Sequence, residues 1–198
     1  QMCIRDRFDA GHSLEQRHCP IDGEKVKSCI SCKTCAIMNG FGGAGAFSDG
    51  KYNITNDFGG TLYEYIGRQK ALELMKYVDT INMSHGGEGT KMYSTAGTDL
   101  KKVCLQNKLK LLDASVRHLG TDVNYVVLKN LYDEMKDHMD FFFDTPVEKI
   151  QVKEDGYTVS AKDAEYACRK CIVSVGRSGS KWMENVCDCL LYTSPSPR

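Results

Sequence analysis

The segment "DFFFDTPVEKIQVKEDGYTVSAKDAEYACRKCIVSVGRSG", residues 140–179, constrains the fold most, because the apolar period there changes from that of a helix to that of short strands. Just before it, Thr121 or Asp122 opens a helix with apolar positions at Val127, Leu128, Leu131 and Met135. Within it, strands are expected at 141–143, 147–152, 157–160 and 171–175, with Glu154-Asp155-Gly156 as a hairpin turn. A helix that delivers the chain to a strand, followed by a β-meander and a further strand, belongs to an α/β architecture.

The first half of the chain adds the remaining elements. "FDAGHS", residues 8–13, reads as the end of a strand and a turn, with Asp9 where the chain leaves the sheet. Thr61-Leu-Tyr-Glu64 has the form of a capping box, and Leu72, Met75, Val78 and Ile81 recur at helical spacing. One helix should therefore run to about Ser84 and stop at Gly86-Gly87, where His85 meets the negative end of the helix dipole. Thr98 or Asp99 caps a short helix through Leu105, and "KLKLLDASVRHLGTD", residues 108–122, mixes strand and turn signals. Neither an internal repeat nor a low-complexity linker occurs, so residues 56–116 read as a mostly helical domain inserted into the α/β unit.

Both ends stand apart from this pattern. "MCIRD", residues 2–6, can be encoded ATG TGT ATA AGA GAC, and "CLLYTS", residues 189–194, TGT CTC TTA TAC ACA TCT, whose reverse complement contains the first string. Unrelated protein ends have no reason to be complementary. Residues 1–7 and 189–198 are therefore expected to be translated transposon-end adaptor, with the native chain continuing beyond both.

The 26 basic and 26 acidic side chains cancel, which leaves no electrostatic footprint for nucleic acid or for an anionic membrane surface. No apolar run approaches the roughly 20 residues of a membrane helix. Of ten cysteines, Cys3 and Cys189 fall in the adaptor segments; the others include Cys29-x-x-Cys32-x-x-Cys35 and Cys168-x-x-Cys171. Such spacings suit thiolate ligation in a reducing cytosol better than a secreted disulfide framework, so a cytoplasmic location is expected.

"NGFGGAGAFSDGK", residues 39–51, concentrates Gly40, Gly42, Gly43, Gly45 and Gly50 around Ala44, Ala46 and Phe47. Glycine accepts positive φ and lets a backbone come close to a ligand, so successive N–H groups can face phosphate oxygens, with Ser48, Asp49 and Lys51 as polar handles. Lys51 is not followed by Ser or Thr at P-loop spacing, so this is a ligand loop of another kind. Immediately upstream, Cys19, Cys29, Cys32 and Cys35 place four thiols in a short stretch. Their spacing admits a [4Fe–4S] cluster, a four-cysteine zinc site, a Cys32–Cys35 dithiol that exchanges electrons with a cofactor, or free structural thiols. Four residues separate Cys35 from Gly40, and at about 3.6 Å per residue the two lie within roughly 18 Å. A centre at those cysteines would thus be close to the glycine loop.

Taken in order, Asp9, "GFGGAGAFSDGK", "FDTPVEKI" and "VSVGRSG" resemble the two-dinucleotide-binding-domain flavoproteins related to glutathione reductase. The loop is closely similar to that of a bacterial group of FAD-dependent dehydrogenases. The resemblance covers nearly all of residues 8–187. It implies an incomplete Rossmann-like FAD-binding domain, parallel sheet plus β-meander, over 8–55 and 117–188, with 56–116 as an inserted substrate or cap domain. It implies that Asp9 binds the adenosine ribose, that residues 40–51 contact FAD, that the Val147 backbone meets adenine, and that Val175 and Gly176 close the site. In this family Ala-Thr-Gly stands where this chain has Ser174-Val175-Gly176. The G-x-G-x-x-G expected some twenty residues before Asp9 is absent, so this chain alone should bind FAD poorly and be inactive.

For chemistry beside the flavin the sequence offers Arg117, to hold an anionic substrate group, and His118, to move a proton. The same residues also suit a plain hinge before a helix capped by Thr121-Asp122. The expected partners are a small-molecule substrate or an electron donor or acceptor, without nucleic acid or membrane. The rival class is a non-catalytic metal-binding interaction module built on the four cysteines, in which the glycine loop is only a connection.

Overall fold

The computed structural model describes residues 5–191, with side chains through 188. Residues 1–4 and 192–198 of the expected adaptor segments lie outside the described residues. In chain order the elements are β1 (Asp6–Phe8), β2 (Lys51–Ile54), α1 (Leu62–Ile66), α2 (Arg68–Asn82), β3 (Met92–Ser94), α3 (Leu100–Gln106), β4 (Ser115–His118), α4 (Thr121–Met135), β5 (Asp140–Phe142), β6 (Val147–Lys153), β7 (Gly156–Ala161), β8 (Ala164–Cys168) and α5 (Ser180–Leu191). The protein is mixed α/β, with a parallel pair β1–β5, an antiparallel sheet of order β2-β4-β3 and the antiparallel meander β6-β7-β8. Two compact units divide the chain, one comprising residues up to Ala44 together with those from Lys136, the other Gly45–Met135.

In the first unit, β1 lies parallel to β5 with Phe8 opposite Phe142. The two rings stack at 4.9 Å and Tyr166 meets Phe8 edge-on at 4.7 Å. β1 includes Asp6 and Arg7, two residues expected to be adaptor, because a parallel ladder is made by main-chain groups and accepts almost any side chain. Arg7 also lays its guanidinium over Phe41, 4.9 Å from the ring centre.

The meander turns at Glu154-Asp155, between the partners Lys153 and Gly156. A Cβ at Gly156 would collide with the Cys168 carbonyl, so only glycine lets β7 and β8 close at this end. Register sets the faces. Val147, Ile150 and Val152 stand opposite Ala161, Val159 and Tyr157, which in turn stand opposite Ala164, Tyr166 and Cys168. This face carries the apolar cluster of Ile150, Val159 and Val186, the last brought by α5.

The strand expected at 171–175 does not form. Residues 170–175 belong to no ladder, Ile172 is 94% exposed, and the third strand of the meander is β8 instead. A strand is made by its neighbour, and among the described residues none lies alongside 171–175, whereas Gly156 onward offers β8 a full partner.

The second unit folds around the three-stranded sheet, with β2 and β3 both antiparallel to β4. Ala71 on α2 and Val127 on α4 are fully buried. Burying a valine side chain contributes about 1.5–3 kcal/mol. The single helix expected from Thr61 is two, broken at Gly67, whose φ of 83° is a glycine conformation. No capping box forms, since the Thr61 side chain makes no cap bond and it is the Thr61 carbonyl that accepts the Glu64 N–H. α2 then passes into a π turn, Met83–Gly87, and stops at the Gly86-Gly87 pair as expected. No helix among the described residues is long and apolar enough to cross a membrane.

Candidate functional site

The glycine segment begins in the first unit, packed against the carboxyl end of the parallel pair. Asp9, the first residue after β1, accepts hydrogen bonds at Oδ1 from the N–H groups of Gly11 and Gly40, each at 3.0 Å. Two backbones meet here so closely that a Cβ at Gly11 would lie 2.5 Å from the Gly40 nitrogen, and a Cβ at Gly40 2.5 Å from the His12 carbonyl. Gly40 also has φ of 106°, so both space and conformation require glycine.

Arg17 holds the same loop from inside. It is 2% exposed, and its guanidinium donates to the carbonyls of Ala36, Ile37, Phe41 and Gly43. Burial lowers its pKa, while Asp9 and Cys35 oppose that shift. Four carbonyls on one cation fix the path from the last expected metal cysteine into the glycine loop. The sequence gives no hint of this, since "EQRHC" looks like polar surface and nothing in spacing marks a buried arginine.

A third segment joins from far along the chain. Ser178 donates its hydroxyl to the Asn39 side-chain oxygen at 2.7 Å, tying the turn after Gly176 to the start of the glycine loop. Gly176 has φ of 63° and opens the short turn Arg177–Gly179. Asp9, Asn39–Gly40 and the Gly176–Ser178 turn are thus brought together, with Asn39 and Ser178 as members the sequence did not single out. Val147 goes elsewhere. It begins β6 and packs into the meander cluster, and Val175, next to Gly176 in sequence, is partly exposed.

The loop continues into the second unit. Gly42 and Gly43 have positive φ, Ala46 is buried and Phe47 partly exposed. The Gly45 carbonyl accepts from Ser48 and from Asn124 on α4, and Gly50 is pressed against Asn124 and Leu119. Asn124 is itself buried and accepts the Tyr52 hydroxyl at 2.9 Å. Lys51 pairs with Asp49 at 2.7 Å on the surface, and that pairing lowers the Asp49 pKa.

Arg117 and His118 stand at the end of β4, and they differ. Arg117 clamps Asp79 of α2 with two bonds, Nε to Oδ1 at 2.9 Å and Nη2 to Oδ2 at 2.7 Å, and donates Nη1 to the Thr90 carbonyl at 2.7 Å. All three nitrogens are engaged. His118 is exposed. In the same unit His85 bridges the Ile81 carbonyl and Glu134, at 2.7 and 2.6 Å, and Asn130 donates to the His85 carbonyl.

The four cysteines expected to hold a metal are not gathered. Cys19, Cys29 and Cys32 are exposed and Cys35 half-buried. Among the described residues no group of three or more metal-ligating side chains comes together. The stretch between them carries little regular structure beyond a turn in which Asp22 accepts three consecutive N–H groups. Thiols without a cation have nothing to draw them together, and a site of this kind forms with its metal.

Comparison with protein-family models, curated protein sequences and solved structures gives no significant match.

Proposed function

We propose that this chain is part of an FAD-dependent oxidoreductase, with the edge formed by Asp9, Asn39–Gly40 and the Gly176–Ser178 turn as the nucleotide end of the cofactor site. One observation carries the proposal. Three sequence segments, far apart along the chain, meet at the carboxyl end of a parallel strand pair, the position where open α/β sheets receive nucleotide cofactors. The resemblance in the loop and flanking strands supplies the identity of that cofactor.

Flavin, when bound, supplies hydride or electron transfer, and the protein supplies position and environment. Asp9 commits Oδ1 to Gly11 and Gly40, and Oδ2, with Arg7 at 3.7 Å, is the atom that would accept a ribose hydroxyl. Arg17 turns loop carbonyls inward onto itself, which favours N–H groups facing outward toward an anion. Arg117 is given a bracing role between α2 and β4, and exposed His118 keeps the proton-moving role. Cys19, Cys29, Cys32 and Cys35 are proposed to close around iron–sulfur or zinc and so stiffen the segment that Arg17 joins to the loop. The substrate is proposed to be a small molecule held by the inserted unit, and the location cytoplasmic.

Absorbance of the protein expressed from its natural gene tests the proposal. A flavin spectrum that bleaches on reduction supports it, and a colourless protein that stays so after reconstitution with FAD refutes it.

A further inference from the structure

The second unit holds a cavity that the site above does not use. Its volume is about 570 Å³, within the range of small-molecule sites, and Leu105, Leu109 and Leu111 line it together with Lys101, Lys108 and Lys110. The end of α3 explains how one short stretch builds it. The helix closes in a Schellman motif, in which the Leu109 N–H donates to the Cys104 carbonyl at 2.8 Å and the Lys108 N–H to the Leu105 carbonyl at 3.1 Å. That motif reverses the chain, so that Asp113 meets Lys101, in the first turn of the same helix, at 2.9 Å. The Thr55 hydroxyl fixes the far end by donating to the Asp113 carbonyl at 2.7 Å.

Lys108 occupies the left-handed position of the motif, with φ of 59°, where glycine is the usual residue and a side chain is strained. Its ammonium and that of Lys110 have no ion-pair partner among the described residues. The carboxylates of the wall are already committed, Asp113 to Lys101 and Asp57 to Arg68, both at 2.9 Å. Two positive charges are thus uncompensated beside three leucines, of which Leu105 and Leu109 are 66% and 61% exposed.

Charge and lining together select the occupant. An inorganic anion would meet the ammoniums and leave the leucines bare. A nucleotide would find no aromatic ring among the lining residues on which to stack its base. A carboxylate with an alkyl tail matches both features, because lysine receives it as a point charge and the tail covers leucine and the apolar stems of the lysines. We infer that this cavity binds a medium-chain carboxylate, with Lys108 and Lys110 at its head and Leu105, Leu109 and Leu111 along its tail. The site lies wholly within the second unit and does not rest on the flavin reading.

Calorimetric titration of the full chain with decanoate, below its micelle concentration, tests this. One molecule should bind per chain, and each CH₂ added between hexanoate and decanoate should tighten binding by about two- to fourfold. Acetate and decyltrimethylammonium, which keep only the head charge or only the tail, should bind at least about tenfold more weakly than decanoate. Lys108→Gly with Lys110→Ala removes two exposed ammonium–carboxylate contacts, each worth up to about fivefold, and should weaken decanoate by at least about fivefold. Glycine relieves the left-handed position, so the melting temperature of that variant should hold or rise, which separates loss of the site from loss of the fold. Lys102→Ala, on α3 but outside the cavity, should leave the affinity unchanged. No binding of decanoate, equal binding of decyltrimethylammonium, or unchanged affinity in the Lys108 and Lys110 double variant would overturn the inference. So would self-association that the double variant abolishes and decanoate does not compete with, since a second copy of the chain would then cover the wall.

Discussion

Replacing Asp79 with alanine tests whether Arg117 is a brace or a free substrate-binding group. The substitution removes two charge-assisted hydrogen bonds and leaves a mostly buried guanidinium with only the Thr90 carbonyl among the partners described above. Each such bond contributes about 1.5–3 kcal/mol, which sets an upper figure of about 3–6 kcal/mol for the two. The side chains of Arg117 and Asp79 are 14% and 11% exposed, so water reaches one edge and returns part of that loss. We expect Asp79→Ala to cost about 2–4 kcal/mol, near the lower end of what breaking a buried pair costs. At about 2–4 °C per kcal/mol for a chain of this size, the melting temperature falls by roughly 4–16 °C. Hydrogen exchange should locate the loss, with amides of α2 and β4 losing protection while those of β6 to β8 keep theirs. The double change Asp79→Leu with Arg117→Met should recover stability to within about 1 kcal/mol of the original, because no charge is left stranded. If Asp79→Ala costs under about 1 kcal/mol, or the double variant is no better than the single, the bracing argument fails.

Four further outcomes can be measured. His85 has a pKa raised above 6.5, first by the Ile81 carbonyl and then by Glu134. Its contribution to stability is therefore complete below about pH 6.5 and is lost as pH rises through the higher folded value. In an NMR titration Glu134→Gln should lower the His85 midpoint yet leave it above 6.5, and an unchanged midpoint would remove Glu134 as a partner. Gly40→Ala, with its added carbon against His12 and Arg17 at positive φ, should cost about 2–4 kcal/mol in denaturant titrations. Gly45→Ala meets no described atom within 4 Å, so stability should change by under about 0.5 kcal/mol while flavin affinity in the intact protein drops; retained affinity would take Gly45 out of the cofactor site. Zinc, or iron with sulfide under anaerobic conditions, should protect Cys19, Cys29, Cys32 and Cys35 together from alkylation. Unaltered reactivity with either metal would remove the metal proposal.

What the sequence disclosed was what local pattern dictates. The helix from Thr121, the end of β1 before Asp9, the Glu154-Asp155 turn and the first two meander strands follow from period and turn chemistry over a few residues. What it concealed depends on partners distant in sequence. "CIVSV" has strand composition yet lies outside any ladder, because no described neighbour accepts it. "AEYAC" is weaker in composition but has β7 beside it. Gly67 splits a helix that apolar spacing alone carries through, and the sheet β2-β4-β3 in the second unit joins segments more than twenty residues apart. At the candidate site, Asp9 and the glycines were legible from residue type, but Arg17, Asn39, Ser178 and Asn124 act through bonds that no local signal announces. The side chain of Arg117 was legible as a cation, whereas its pairing with Asp79, 38 positions away, was not.

The register shift between Val147 and Lys149 gives β6 one residue more than β7 opposes. Both Val147 and Ile150 face the apolar cluster although three positions separate them, which a regular strand forbids. Glu148 is the surplus residue. Deleting it leaves Val147, Lys149 and Ile150 opposite Ala161, Ser160 and Val159, with every side chain on the face it already occupies. Deleting Gln151 instead would turn one side of the strand over. This edge of the meander therefore has a built-in tolerance for length change at one position, and the lineage of this chain could gain or lose a residue there without rebuilding the core.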